Sequence, residues 1–293
     1  MRISILLIGF AITSCINSDE KAPLDLQGHR GARGILPENT IPSFLRAVDL
    51  CVNTLELDLV VTKGGELLVS HEPFISSEIC LDPTGAEYSD SLAHTLNIYQ
   101  MTYDQILEYD CGSKTHPRFL DQSSLTLKKP LLRQVVSEVH SYVEENKLKT
   151  PRYNIELKSQ ANTDNLYHPE PKEFCDLAYQ QIGELLPWNR VTIQSFDFRI
   201  LQYFHETYPE VKLVLLIEND LPYRGNLDSL GFLPEVYSCY FPLLSQKIVH
   251  DLKDQGIKVV PWTVNETKDM KRLIDWGVDG LISDYPNRYK EVK

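Results

Sequence analysis

The chain has no excess of positive charge. Lys and Arg number 29 against 41 Asp and Glu, a formal net charge of −12. General nucleic-acid binding needs a basic face, so that class is excluded. The acidity fits solubility, and any anionic substrate must be drawn in by a local cluster of cations. No CxxC pair and no Cys/His spacing of a structural zinc site occurs. No GxGxxG follows the first strand-like run, which argues against a doubly wound dinucleotide-binding sheet. Cysteine is scarce, with six in 293 residues. With Cys15 set aside (below), Cys51, Cys80, Cys111, Cys175 and Cys239 remain, and an odd number is not a disulfide framework. Cys51 and Cys239 lie in apolar runs and read as buried thiols. Cys80 and Cys111 share a polar region, where an exported protein has room for one bridge.

The longest uncharged apolar run at the N-terminus, Ile3 to Ile12, is too short to span a bilayer but suits a signal-peptide core after Arg2. Thr13-Ser14-Cys15 resembles a bacterial lipoprotein cleavage site. Residues 1–14 therefore read as a lipoprotein signal peptide, Cys15 as the lipid-anchored residue and 15–23 as a tether. This predicts an exported protein, in the bacterial periplasm or on the outer membrane, touching the membrane only through that anchor.

From Leu24 onward, β-rich apolar runs alternate with helical patterns. The strand-like runs are Leu24–Gly28, Thr54–Thr62, Tyr153–Lys158, Val191–Phe196, Lys212–Ile217, Val236–Phe241, Lys258–Val264 and Gly280–Ser283. Helical spacing marks Ile41 to Val48, Leu131 to Val143, Leu201 to Tyr208, Ile248 to Leu252 and Met270 to Ile274, with Asn39 or Thr40 as the first N-cap. Strands alternating with helices over residues 24–293 predict a (β/α)8 barrel. The connection at about 72–130, rich in Ser, Asp, Thr, Gly, Pro and Tyr, is too long for an ordinary loop. It reads as an insertion after the second strand, over the face where such barrels bear their active sites.

The chemistry sits at the ends of these strands. Residues two apart on a strand share a face, so Glu56 and Asp58 point the same way. Glu156 and Lys158 repeat the arrangement on the next barrel strand, within reach of that pair. Three carboxylates with open positions suit a hard cation, Ca²⁺ or Mg²⁺. Lys63-Gly64-Gly65-Glu66 reads as a two-residue hairpin turn. That register pairs Thr62 with Leu67, Val60 with Val69 and Asp58 with His71, returning the histidine to the carboxylates. His29 ends the first strand, followed by Arg30, whose planar fork suits phosphate oxygens, and by Gly31, where backbone can approach a ligand closely.

His29-Arg30-Gly31, Pro37-Glu38-Asn39-Thr40, Glu56-Leu57-Asp58, Ser70-His71, Glu156-Leu157-Lys158, Gln194-Ser195-Phe196 and Trp262-Thr263-Val264-Asn265 together resemble the glycerophosphodiester phosphodiesterase family, from about Leu24 to Tyr289. The resemblance implies a TIM barrel with an insertion after the second strand. It implies His29 and His71 as the general acid/base pair, and Glu56, Asp58 and Glu156 as ligands of one divalent metal ion. Arg30 and Lys158 would contact phosphate, and Trp262 would line the pocket. The implied reaction is metal-dependent hydrolysis of small glycerophosphodiesters to sn-glycerol 3-phosphate and an alcohol such as choline or ethanolamine. The alternatives are a phospholipase acting on intact phospholipid or lysophospholipid, which calls for apolar residues around the mouth, and a non-catalytic binding protein. Oligomeric state is not legible.

Overall fold

The computed structural model describes residues 24–292; the expected signal peptide, Cys15 anchor and tether lie outside them. Nine strands form one sheet: β1 (Asp25–Gly28), β2 (Thr54–Val61), β3 (Leu67–Val69), β4 (Arg152–Leu157), β5 (Val191–Ser195), β6 (Lys212–Ile217), β7 (Val236–Cys239), β8 (Lys258–Val259) and β9 (Gly280–Ser283). The order is β8-β7-β6-β5-β4-β2-β1-β9, with β3 paired to β2 alone. Every neighbour on this path is parallel and β2–β3 is antiparallel. The ends of the path meet through Asp279 N to Val259 O (2.8 Å), Ile282 N to Pro261 O (3.0 Å) and Val264 N to Ile282 O (2.9 Å). The result is a nearly closed barrel of eight parallel strands. β8 is shorter than the expected Lys258–Val264 run because Pro261 has no N–H to give to a ladder.

Helices α1 (Ile41–Asp49), α4 (Leu132–Glu145), α5 (Pro171–Leu185), α6 (Phe198–Thr207), α7 (Tyr223–Leu230), α8 (Gln246–Lys253) and α9 (Thr267–Asp275) pack outside the strands, while α2 (Asp90–Ala93) and α3 (Tyr103–Ile106) are single turns between β3 and α4. In α4 the buried set Leu132, Val135, Val136, Val139 and Val143 follows helical spacing. It joins one core with Phe44 of α1 and with Leu55, Leu57, Leu59 and Val61 of β2. All eight residues of β2 are buried, as expected for a parallel strand covered on both faces. Its odd-numbered leucines face the helices, so Glu56 and Asp58 face the barrel interior.

The connection from β3 to α4 carries its own small apolar cluster, in which Ile75, Ile98, Ile106 and Leu131 meet Val60 and Leu68 from the hairpin. A Cys80–Cys111 disulfide closes it. It is tied to the loop after β1 through Gln122 Nε2 to Leu36 O (3.2 Å) and through Phe119, 5.0 Å from the Arg33 guanidinium. The free cysteines among the described residues are Cys175 and Cys239, both buried; Cys51, expected buried, is partly exposed.

The hairpin register differs from the sequence reading by one residue. Leu59 pairs with Val69, Val60 with Leu68 and Val61 with Leu67, and Ser70 N, rather than His71, reaches Asp58 O at 3.0 Å. Thr62 N bonds Glu66 O (3.0 Å), so the loop holds three residues, Lys63, Gly64 and Gly65. Gly65 has φ +75°, the left-handed position that a three-residue hairpin loop requires.

Candidate active site

Strand register brings the three acids together. β2 and β4 pair with Asp58 opposite Glu156, and one carboxylate oxygen each from Glu56, Asp58 and Glu156 lie within 4.8 Å of one another. Their relative exposures are only 2, 1 and 6%. Both oxygens of Glu56 are held: Oε1 accepts from Gln194 Nε2 (2.7 Å) and Oε2 from Arg30 N (2.9 Å). Asp58 Oδ2 accepts from Asn39 Nδ2 (2.8 Å), and Glu156 Oε1 from Lys158 Nζ (2.8 Å). Burial and the charge of Asp58 hold Glu56 well above the usual carboxylate range. Burial, together with Asp58 and against Lys158, pushes Glu156 up to about 7. Asp58 is held low: burial opposes its ionisation, but Arg30, His71 and Lys158 outweigh it. Buried carboxylates whose mutual repulsion favours protonation are relieved by a cation between them. The donor set is all oxygen with further positions open, which fits a hard divalent ion.

Local backbone aims the loop after β1. Arg30 has φ +50° and Gly31 φ +88°. A Cβ at Gly31 would stand 2.5 Å from Ser43 Oγ, so this turn can close onto α1 only with glycine there. The turn leaves Arg30 N on Glu56, Arg30 Nη1 on Glu38 Oε1 (2.8 Å) and Arg30 Nε 3.3 Å from Asp58 Oδ2.

Both histidines reach the site. His29 Nδ1 lies 2.7 Å from Asp284 Oδ1. A carboxylate there accepts, so Nδ1 carries the proton and Nε2, 4.0 Å from Glu56 Oε2, keeps its lone pair. Asp284 is itself fixed by Arg33 Nε (2.8 Å) and Asn265 Nδ2 (2.8 Å). Burial and the Arg33 charge lower the His29 pKa to about 4, against the pull of Asp284, so the ring is neutral at pH 7. His71 pairs Nδ1 with Glu72 Oε1 at 2.7 Å, and burial followed by Arg30 and Lys158 lowers its pKa.

A cleft of about 220 Å³ is lined by His29, Arg30, His71, Glu56, Glu156 and Trp262, among others. All eight residues singled out from the sequence thus lie together: six line the cleft, while Asp58 and Lys158 join it through the carboxylate cluster, with Lys158 Nζ 2.8 Å from Glu156 Oε1 and 3.9 Å from Asp58 Oδ1. Trp262 Nε1 donates to Ser238 O (3.1 Å), and its ring meets Phe196 edge to face at 5.6 Å. Sequence reasoning did not assign Asp284, Arg33 or a positioning part for Asn39 and Gln194. Asn39, considered as a helix cap, has φ +55° and spends its amide on Asp58; Thr40 takes the N-cap position without a side-chain cap bond.

A family model described as the glycerophosphoryl diester phosphodiesterase family matches residues 29–288. A glycerophosphodiester phosphodiesterase of Bacillus subtilis is 29% identical over 272 residues, covering 90% of this chain and 85% of its own length. A solved chain from Silicibacter pomeroyi, provisionally named a glycerophosphoryl diester phosphodiesterase, is 26% identical, covers 92% of each chain and superposes with TM-score 0.79. An Oleispira antarctica phosphodiesterase, solved with its product sn-glycerol-3-phosphate, shares the fold at 19% identity, with TM-score 0.72 and coverage of 92% of this chain and 96% of that one.

Proposed function

The chain belongs to the glycerophosphoryl diester phosphodiesterase family, and from that membership we propose that it hydrolyses small glycerophosphodiesters to sn-glycerol 3-phosphate and an alcohol. The observation that carries this reading is the gathering of three buried carboxylates, two neutral histidines and the cations Arg30 and Lys158 about one cleft.

In this reading Glu56, Asp58 and Glu156 hold one divalent ion, Ca²⁺ or Mg²⁺. Such an ion supplies Lewis-acid stabilisation of phosphoryl oxygen charge. Arg30 and Lys158 neutralise the same oxygens. One histidine takes a proton from the attacking water through its free Nε2 and releases it to solvent, while the other takes a proton from solvent on its own Nε2 and gives that proton to the departing alkoxide. The P–O bond to the alcohol breaks, one to water oxygen forms, and the protons balance. Asp284 and Glu72 fix the tautomers. The β3–α4 connection acts as an insertion that shapes substrate access. Export of the chain is part of the same proposal, supported by the Cys80–Cys111 bridge, since such bonds persist in oxidising compartments.

A second reading, an acyl-bearing glycerophosphodiester as substrate, is favoured by the exposed apolar residues Phe196, Tyr240 and Leu243 just after β5 and β7. One assay covers both: release of glycerol 3-phosphate from glycerophosphocholine, and of lysophosphatidic acid from lysophosphatidylcholine, with Ca²⁺, Mg²⁺ or EDTA. Metal-dependent turnover of the water-soluble diester, lost in His29→Ala and Glu56→Ala, is expected. Turnover of the acylated diester alone would replace the first reading with the second, and turnover that survives EDTA would remove the metal.

A further inference from the structure

A second, smaller cavity of about 120 Å³ adjoins the cleft and shares Arg30, His71 and Arg118 with it. We propose that this cavity binds the hydroxyl-bearing arm of the substrate, with Lys129 and His116 as its specificity-determining donors. The proposal rests on the phosphodiesterase reading only for where the phosphate lies, at Arg30.

Two of its walls are polar, buried and short of partners. Lys129 is 5% exposed. Its ammonium has three donors and gives one hydrogen bond, to Ser70 Oγ at 3.0 Å. His116 is 2% exposed, and its Nδ1 accepts from the Arg118 backbone N–H at 3.1 Å. The proton of the neutral ring must then sit on Nε2, and burial favours that neutral form. Nε2 has no hydrogen-bond partner; Glu78 Oε1, at 3.6 Å, is beyond hydrogen-bond reach. Native proteins rarely leave such donors unpaired unless a ligand or water completes them.

The chemistry of the wall selects the arm. Glu72 and Glu78 add acceptors beside the donors. A hydroxyl both donates and accepts, so a short polyol satisfies both kinds of group. A cationic head group would meet Arg30, Arg118 and Lys129, and an acyl chain would leave the buried donors unpaired. The other arm then lies along Phe196 and Trp262 in the larger cleft, which His29 lines and the small cavity does not.

The test is calorimetric binding of sn-glycerol 3-phosphate and of methyl phosphate to the full chain with Ca²⁺ or Mg²⁺ present. These ligands carry the same anionic group and differ in the polyol. Glycerol 3-phosphate should bind about tenfold tighter or more, as two or three hydrogen bonds allow. That preference should fall severalfold in Lys129→Met and in His116→Phe. It should return in part in His116→Gln, whose amide puts a donor near the position of Nε2. No preference in the parent chain, an unchanged preference in both variants, or an equal loss for both ligands would overturn the proposal. Glycerophosphocholine turnover is measured alongside. An intact preference without turnover removes the hydrolytic reading and keeps the cavity; turnover with an unchanged preference does the reverse.

Discussion

His29 and His71 are posed alike, each with Nδ1 on a carboxylate and Nε2 left to the site, but they are held with different firmness. Asp284 is 2% exposed and bound by Arg33 and Asn265, whereas the Glu72 side chain is 40% exposed. Asp284→Asn would let an amide donate to Nδ1 and turn the proton onto Nε2, where a lone pair is needed to take up a proton. It should lower kcat by about 10²–10⁴-fold, the span of one general acid–base contribution, and leave KM within a few fold. Glu72→Gln should cost less, because its solvated partner can be replaced by water. Steady-state kinetics on glycerophosphocholine decide this: equal losses in the two variants, or a loss confined to KM, would contradict the assignment. Asp284 had a signal in the sequence. It directly follows the last barrel strand, beside the strand that ends just before His29. Reading charged pairs two apart along one strand finds Glu56 with Asp58 and Glu156 with Lys158, but it cannot find a pair separated by the whole chain and joined only by barrel closure. Asn39 and Gln194 were hidden differently, because an amide that orients a carboxylate looks like any other polar residue until the fold aligns it.

Among the elements, the parallel strands were legible from their apolar runs, and the acid cluster followed from their period of two. The hairpin was legible only to within one residue. Two consecutive glycines fit a two-residue turn as well as a three-residue loop, and the Thr62 N to Glu66 O bond (3.0 Å) decides for the loop. A one-residue slip ordinarily turns side chains to the opposite face. Here the cost is small because β3 ends at Val69 and His71 leaves the ladder before pairing fixes its direction. Helices α5 and α7 were not picked out from the sequence. α7 has eight residues, Gly225 in its interior and a buried Asn226, so little apolar stripe is visible. α5 does show one, with Phe174, Ala178 and Ile182 buried four apart. The β3–α4 connection offers an element-level prediction. Its apolar cluster is small, and the Cys80–Cys111 bridge spans a separation of 31 residues, a loop for which a crosslink contributes about 2–4 kcal/mol. A Cys80→Ser/Cys111→Ser variant should open residues 72–130 while the barrel persists. Hydrogen exchange should show protection lost there and kept in β2 and β4; simultaneous loss in both would mean that the connection and the barrel unfold as one unit.

At the scale of the molecule, the barrel surrounds a set of charges that it must hold against its own stability, and two of them act in opposite directions with pH. His29 falls from 6.5 to about 4 on folding. Between those values the unfolded chain binds the proton that the folded one refuses, so this group makes stability rise with pH from about 4 to 6.5. Glu156 rises from 4.5 to about 7. Between those values the folded chain holds the extra proton, so this group makes stability fall as pH rises from about 4.5 to 7. Each span corresponds to about 3 kcal/mol, and the two windows overlap, so in EDTA the pair should contribute little net slope. Substitution separates them. Glu156→Gln should expose the rising limb of His29, and His29→Gln the falling limb of Glu156, as read from urea unfolding between pH 4 and 7.5 in EDTA. Metal should change the balance on one side only. An ion bound by Glu56, Asp58 and Glu156 competes with the proton on Glu156 and removes the falling limb. It adds stability as its free concentration exceeds its Kd, about 4 kcal/mol at a thousandfold excess. Glu156→Gln resembles the protonated carboxyl that burial already favours near neutral pH. It should therefore keep the EDTA-state stability within about 1 kcal/mol of the parent at pH 7 while losing most of the gain on adding Ca²⁺ or Mg²⁺. A variant that lost stability in EDTA but kept the metal-linked gain would mean that Glu156 holds the barrel together through Lys158 and that the ion, if bound, sits elsewhere.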